Sequence, residues 1–185
     1  MSTGVDFQAA LVGTLRRQVQ TLDGIFEGLG HTVPTVAWPG LNEYDSAAVI
    51  ATVHPQPLDK PDTPEVYRQH FRLLRDGLTQ WMNGVVTPQG MPTYEAFRAG
   101  VVAALDEVRT RHSGNVLLVS SGGPIATAVA HVLGTSPEVS IELNLRIRNS
   151  AVTEFAFTQK RHALVSFNNV PHLAHPDHAS WITHA

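Results

Sequence analysis

The feature that most constrains this chain is an apolar run that passes directly into a glycine turn. Residues 115–119 read Asn-Val-Leu-Leu-Val, and residues 120–124 read Ser-Ser-Gly-Gly-Pro. A short, continuous apolar run predicts a buried strand, and the small residues that follow, up to Gly134, predict a helix. Strand, glycine turn and helix form half of a βαβ unit. We therefore expect a parallel sheet that is covered by helices.

A second strand-to-helix junction is predicted near the start of the chain. Residues 5–12 form an apolar run that ends at Gly13. Beyond it, apolar residues recur at alternating spacings of four and three, which predicts an amphipathic helix. Thr14 is predicted as the N-cap of this helix and Gly30 as its C-terminal stop. A further strand is predicted over residues 33–38.

The remaining elements follow from periodicity and from proline. A short helix is predicted around residues 47–53. Four prolines within residues 54–64 predict an exposed excursion without regular structure. Residues 150–158 and 162–168 alternate in polarity and predict an antiparallel edge pair. Two long helices are predicted between the proline-rich excursion and the strand over residues 115–119, with these apolar faces: Tyr67, Phe71, Leu74, Leu78, Trp81 and Val85 on the first, and Phe97, Val101, Ala104, Leu105 and Val108 on the second.

Length and composition set the class of protein. A chain of 185 residues and 20.1 kDa predicts one domain over residues 1–185, an α/β three-layer structure with a mainly parallel sheet. The net charge of −3 argues against nucleic acid as the main partner. The chain has no cysteine, which excludes disulfides, a thiol nucleophile and thiolate metal ligands. With no signal peptide and no apolar run long enough to span a bilayer, we expect a cytoplasmic protein without membrane contact.

Neither a metal nor another cofactor is predicted. His172, His175 and His178 are spaced three residues apart, which on a helix could bring them to one metal ion. Pro171 and Pro176 break that helix, so the spacing loses its geometric meaning.

Two local features have the chemistry of an anion site. The turn over residues 120–123 leaves backbone N–H groups free at a helix N-terminus, where the helix dipole adds partial positive charge. Arg16 and Arg17 lie at another helix start, where a cation works against the dipole, and a bidentate contact to a phosphate or carboxylate would compensate. The alternatives are a tight connection that binds nothing and a pair of solvated arginines.

Five segments, taken together, resemble the histidine phosphatase superfamily, whose fold is phosphoglycerate-mutase-like. They occur in the family's order and are Gly13 to Thr21, Leu41-Asn42-Glu43, Val119-Ser120-Ser121-Gly122-Gly123, Asn149-Ser150-Ala151-Val152-Thr153, and Asn169 to Leu173. The resemblance implies a phosphate pocket and assigns it the following residues. Arg17, Ser120, Gly122 and Gly123 are phosphate-binding, Glu43 and Ser121 are catalytic, and Gly13, Asn149 and His172 form the rim.

The departures from the family concern catalysis. The family's nucleophile is a histidine in an Arg-His-Gly motif at the end of a first strand, and this sequence contains no such motif. Ser121 stands where the family has its second histidine. A serine needs an adjacent base to act as a nucleophile, and no base is close in sequence. A serine hydrolase built on Ser121 also lacks the Gly-x-Ser-x-Gly pattern.

Two hypotheses about function therefore remain open. In the first, the protein is a phosphomonoesterase whose nucleophile lies upstream of this sequence, because the chain is truncated or its start is misassigned. In the second, it is a pseudoenzyme that binds a small phosphorylated molecule, inorganic phosphate or sulfate, or a protein partner. The family's first strand has no counterpart in the sequence, which would leave unpaired strand edges. We therefore expect a homo-oligomer, with strand exchange as the simplest route.

Overall fold

The structure is a computed structural model that describes residues 4–56, 58 and 63–184. Residues 57 and 59–62 of the predicted proline-rich excursion lie outside the described residues. The strands are β1 (Phe7–Val12), β2 (Thr35–Ala37), β3 (Asn115–Val119), β4 (Val152–Phe157) and β5 (His162–Asn169). The helices are α1 (Arg16–Leu29), α2 (Ser46–Ala51), α3 (Pro64–Met82), α4 (Tyr94–Arg111), α5 (Gly122–Leu133) and α6 (Pro137–Asn144). Short 3-10 turns occupy Pro39–Leu41, Pro171–Leu173 and Pro176–Trp181.

The described strands form two separate sheets. Three parallel strands lie in the order β2-β1-β3, with Leu11 of β1 opposite Val36 on one side and Leu118 on the other. β4 and β5 form an antiparallel pair of their own. Within the described residues, no backbone pairing joins β3 to β4, so the second edge of β3 is open. The prediction of parallel strands covered by helices is confirmed.

Helices cover both faces of the parallel sheet because the strand side chains alternate. Ala10 and Val12 of β1 face α1 and pack with Leu22. Leu11 points the other way and packs with Ala104 and Val108 of α4. The carboxyl ends of β1 and β3 therefore meet at one edge, sandwiched between helices.

The same helices also connect the parallel sheet to the antiparallel pair. Leu118 of β3 and Phe155 of β4 both pack against the buried cluster of Val101, Leu105 and Ala128, which α4 and α5 provide. The two sheets thus share one apolar layer although no strand links them.

Most elements lie where the sequence predicts them. Gly30 adopts a left-handed φ of 75° and ends α1, as expected of a glycine C-cap. The N-cap prediction is wrong: Leu15, not Thr14, is the N-cap of α1, because Thr14 pairs with a distant loop. The face predicted for α3 is only partly buried, since Tyr67 is 51% exposed and Val85 lies beyond the helix end. α6 was not predicted.

A close backbone contact fixes the segment before the site. Gly40 lies so near Gly100 of α4 that a Cβ at Gly40 would come within 2.5 Å of the Gly100 carbonyl oxygen. The indole Nε1 of Trp38 also donates to the Gly100 carbonyl, at 3.1 Å. The segment over residues 38–41 is therefore clamped to α4.

Candidate functional site

The loop after β2 is held at the carboxyl edge of the sheet by two side-chain donors. Both Nε2 of Gln18 and Oγ of Ser120 donate to the Leu41 carbonyl oxygen, each at 2.8 Å. Gln18 is almost fully buried, and its Nε2 also donates to Oγ of Ser121, at 3.0 Å. The turns that follow β1 and β3 are thus tied to one loop.

Glycine at position 13 makes room for this network. A Cβ at Gly13 would overlap Oε1 of Gln18 and lie 2.9 Å from Oδ1 of Asn42. Asn42 bridges to the first turn, because its Oδ1 accepts from the Thr14 N–H at 2.6 Å and its Nδ2 donates to the Thr14 hydroxyl at 2.7 Å. Gly13, which is predicted as a rim residue, therefore also has a packing role, because it leaves room for the side chains of Gln18 and Asn42.

Glu43 binds the N-terminus of α5. The N–H of Gly123 donates to both carboxylate oxygens, at 3.1 and 3.0 Å, and the N–H of Tyr44 donates to Oε1 at 3.1 Å. The first N–H groups of a helix have no acceptor within the helix, so a carboxylate there is favourable. Glu43 and Gly123, both predicted site residues, are therefore in direct contact.

Burial shifts the pKa values of two neighbouring residues, Glu43 and Tyr44. Loss of solvent raises the pKa of Glu43 above its usual value, while the N–H groups of Gly123 and Tyr44 and the charge of Arg17 act in the opposite direction. Burial and the neighbouring carboxylate also raise the pKa of Tyr44. The Tyr44 hydroxyl accepts from Nδ2 of the buried Asn144, at 2.7 Å.

Arg17 lies in the first turn of α1, and its side chain is exposed. No ion pair within 4 Å is found for it among the described residues. Its charge nevertheless acts to lower the pKa of Glu43, so the guanidinium is near enough to interact with that carboxylate electrostatically. Arg17 is thus available to an anion that approaches the carboxyl edge of the sheet.

Ser121 is the N-cap of α5, and its hydroxyl is in contact with an amide rather than a base. Its Oγ accepts from Gln18, and no hydrogen bond to a histidine or carboxylate is found for it in the described part of the chain. A serine hydroxyl needs an adjacent base to act as a nucleophile, and the described residues show none bonded to Ser121.

Two predicted rim residues lie in a different group. Nδ2 of Asn149 donates to the Thr183 hydroxyl and the His184 carbonyl, and Nε2 of His172 lies 2.9 Å from Oγ of Ser150. Within the described residues, no hydrogen bond connects this group to Glu43, Ser121 or Gly123. The structure thus brings together Gly13, Arg17, Glu43, Ser120, Ser121, Gly122 and Gly123. It holds Asn149 against the C-terminal segment and His172 against Ser150.

Sequence reasoning missed the residues that connect the site. Gln18, Asn42 and Tyr44 each make a contact that positions a predicted site residue. All three lie within or beside the segments that carry the family resemblance. A buried polar side chain such as Gln18, placed one turn into an amphipathic helix, is the signal that could have identified the network.

The described residues contain neither a cluster that could hold a metal ion nor a membrane-spanning helix. Among residues 4–56, 58 and 63–184, no group of three or more histidine, aspartate or glutamate side chains is placed to hold a metal ion. No helix in that part of the chain is long and apolar enough to cross a membrane.

Comparison with known proteins assigns the family. The histidine phosphatase superfamily (branch 1) matches residues 2–170, and the chain belongs to this superfamily. A solved structure of the same fold is that of a protein from Escherichia coli str. K-12 substr. MG1655, proposed to be an alpha-ribazole-5'-P phosphatase. The match has a TM-score of 0.58 at 21% identity and covers 90% of this chain and 75% of that chain. No curated protein matches the chain significantly. The predicted family and fold class are confirmed.

Proposed function

We propose that this chain binds a small phosphorylated ligand at the carboxyl edge of its parallel sheet and has little or no phosphomonoesterase activity of its own. Family membership supports the ligand class, and the E. coli structural relative, named for a phosphorylated small molecule, points to the same class. The observation that carries the proposal is the environment of Ser121, whose Oγ accepts from the Gln18 amide and for which no hydrogen bond to a histidine or carboxylate is found among the described residues.

The binding side of the proposal rests on three groups. Arg17 in the first turn of α1, the glycine turn over residues 120–123 and the N-terminus of α5 all follow the carboxyl ends of the parallel strands β1 and β3. Arginine and helix N–H groups are the donors that proteins use for phosphate. Asn149 and His172 form no part of this binding set as we propose it.

One observation favours the alternative of a phosphatase that uses a nucleophile from outside these residues. Burial raises the pKa of Glu43, which favours the protonated acid that a proton donor needs. In the family, the glutamate that Glu43 resembles serves as that donor. Under this alternative Glu43 acts in catalysis. The residues of this sequence then supply only the acid and the contacts to phosphate.

One experiment distinguishes a phosphate-binding protein from a working phosphatase. The purified chain is incubated with an aryl phosphate, and its melting temperature is followed as millimolar sulfate or phosphate is added. We expect turnover no faster than in buffer and a rise in melting temperature, because a ligand bound only to the folded state stabilises it. Arg17→Ala should remove most of that rise, whereas Arg16→Ala on the same turn should retain it.

Two results would contradict the proposal. Turnover that is lost in Arg17→Ala would identify a working phosphatase. An equal rise in melting temperature for wild type and Arg17→Ala would place the bound anion elsewhere on the chain.

We further propose that the chain assembles with a second copy. β3 has an open edge within the described residues, and Val152 and Val165 of the antiparallel pair are 52% and 57% exposed. Open strand edges and exposed apolar side chains favour pairing with another chain.

We also propose a cytoplasmic location and no nucleic-acid partner. The net charge of −3 and the absence of cysteine are compatible with a cytoplasmic protein that does not bind nucleic acid.

A further inference from the structure

A cleft of about 630 Å³ lies between the antiparallel pair and the C-terminal 3-10 turns. Val152 and Glu154 line it from the face of β4 that points away from α4 and α5. Leu173 and Ile182 line it from the C-terminal segment, and most of its other lining side chains are apolar as well. This volume and lining are typical of small-molecule sites. None of the lining residues belongs to the group around Glu43, so the cleft is separate from the proposed phosphate site.

Arg148 supplies the positive charge of the cleft. It is half-buried, and no ion pair within 4 Å is found for it among the described residues. Glu154 lines the same cleft but lies beyond that distance from the guanidinium nitrogens. A partly buried cation without a counter-ion is costly, so a negatively charged ligand would stabilise this part of the fold.

The backbone around Arg148 holds its guanidinium in place. The guanidinium donates to the carbonyl of the buried Asn168, and the Arg148 N–H donates to Oδ1 of the same asparagine, at 2.8 Å. Asn168 and Ser150 have φ values of 60° and 59°, and in the described part of the chain they are the non-glycine residues with positive φ. Strained residues that tertiary contacts hold in place cluster at ligand sites. A guanidinium carries further N–H groups, which remain for a ligand.

We propose that this cleft binds a small molecule that joins a single carboxylate to an apolar body. The planar guanidinium of Arg148 matches a carboxylate through parallel N–H···O bonds. The apolar body packs against Leu173 and Ile182, which removes their apolar surface from water. Glu154 adds a negative charge to the same cleft, so a monoanion is favoured over a phosphate dianion.

The test is isothermal titration calorimetry with octanoate as the probe and the neutral octanamide as the comparison. The chain is kept dilute, because the proposed assembly also buries Val152. We expect wild type to bind octanoate at least about tenfold more tightly than octanamide, because charge-assisted hydrogen bonds are strong. Arg148→Met should remove that difference by weakening octanoate binding alone. Arg146→Met, at an exposed arginine outside the cleft, is the matched control and should retain the difference.

Two further variants change the cleft without touching Arg148. Glu154→Gln should tighten octanoate binding, because it removes a like charge, and leave octanamide binding unchanged. Ala179→Trp, at an exposed residue that lines the cleft, should weaken the binding of both compounds because the indole occupies the space. These two variants keep the proposal testable if Arg148→Met alters folding, since the contacts between Arg148 and Asn168 remain.

The remaining outcomes all count against the ligand site. It is overturned if wild type does not bind octanoate, or if wild type and Arg148→Met bind octanoate equally well. Absent binding together with easier dissociation of Arg148→Met on dilution would assign the cleft to a contact between copies. Displacement of octanoate by inorganic phosphate would place both anions at one site. Arg17→Ala should leave octanoate binding unchanged, so a failure of the proposed phosphate site is seen separately.

Discussion

Gln18 connects the two glycine turns of the site to the loop that carries Glu43. Its Nε2 donates to the Leu41 carbonyl and to Oγ of Ser121, and its Oε1 accepts from the Leu15 N–H at 3.3 Å. A buried amide that satisfies both its donors and its acceptor fixes the geometry of everything that it contacts. Gln18 is thus a positioning residue.

The energetic consequence can be measured at Gln18 itself. Gln18→Leu keeps a similar volume but leaves the Leu15 N–H and the Ser121 hydroxyl without partners. Each buried group left unpaired costs about 1–3 kcal/mol, so we expect the free energy of unfolding to fall by at least about 2 kcal/mol. Chemical denaturation measures the change.

The matched control for this substitution is Gln20→Leu, because Gln20 is exposed on the same helix. It should change stability by less than about 0.5 kcal/mol. A loss at Gln18 as small as that at Gln20 would show that the network is not needed to hold the fold.

Residue chemistry also limits what the sequence could predict about the site. Arg17, Glu43 and the glycine turn were identified from their segments, because each segment carries its own residue pattern. The contact between Glu43 and Gly123 spans 80 residues and depends on how two loops meet. No local pattern contains that information, so the sequence does not predict that Glu43 accepts from the Gly123 N–H.

At the scale of elements, the sequence predicts best where one face of a strand or helix is buried along its whole length. β1, α1, β3 and α5 were predicted to within a few residues for this reason. Thr14 fails as an N-cap because Asn42 offers it a stronger tertiary partner. Periodicity also indicates which side of a helix is apolar but not how far the covering elements extend, as the exposed Tyr67 shows.

A cluster of ionisable groups links α4, α5 and β5 at the end of the sheet opposite Glu43. His162 begins β5 and packs its ring against Phe157, at a centroid distance of 5.9 Å, and its Nε2 is buried with no partner among the described residues. Burial, followed by the charge of Arg109, lowers the pKa of His162, while Asp106 acts in the opposite direction and His131 in the same one. Protonating His162 therefore works against the fold.

The sign of the resulting pH dependence follows from linkage. Between the lowered pKa of the folded state and the ordinary value of about 6.5, the unfolded chain binds more protons, so stability rises with pH. We expect wild type to lose stability as the pH falls from about 7.5 towards 5. Glu43, whose pKa is raised, contributes with the opposite sign at lower pH.

The contribution of His162 is isolated by comparison with His162→Gln. The variant should show a smaller loss of stability on acidification than wild type, measured by thermal melts across the pH range. The exposed His184 provides the control, because His184→Gln should lose as much stability as wild type when the pH falls. Identical pH profiles for wild type and His162→Gln would contradict the assignment.

At the scale of the whole molecule, the division of the sheet is the dominant feature. The parallel strands and the antiparallel pair share an apolar layer with α4 and α5 but no backbone ladder. Unpaired backbone groups at a strand edge favour pairing with another chain. The fold class was predictable from the motifs and their order, whereas no motif indicates what covers the open edges.

The proposed assembly makes a prediction about dilution. Analytical ultracentrifugation should show a dimer or larger species that dissociates on dilution, with circular dichroism reporting a loss of structure alongside. Val152→Asp, which places a charge on the exposed face of β4, should weaken the assembly by at least about tenfold because a charge is costly to bury. Val85→Asp, at a 69% exposed valine outside the sheets, should leave it unchanged. A compact monomer that unfolds cooperatively at low concentration would refute strand exchange.

The aromatic packing behind Glu43 supplies an optical reporter for the site. Tyr44 follows Glu43 directly in the chain, and its ring lies 5.9 Å from that of Trp81, which is fully buried and also contacts Phe97 at 5.2 Å. Because the Tyr44 N–H donates to Glu43 Oε1, we expect a displacement of Glu43 from the Gly123 amide to shift Tyr44 and alter the surroundings of that indole. The emission of Trp81 should therefore register ligand entry without an added label, once Trp38 and the exposed Trp181 are replaced by phenylalanine.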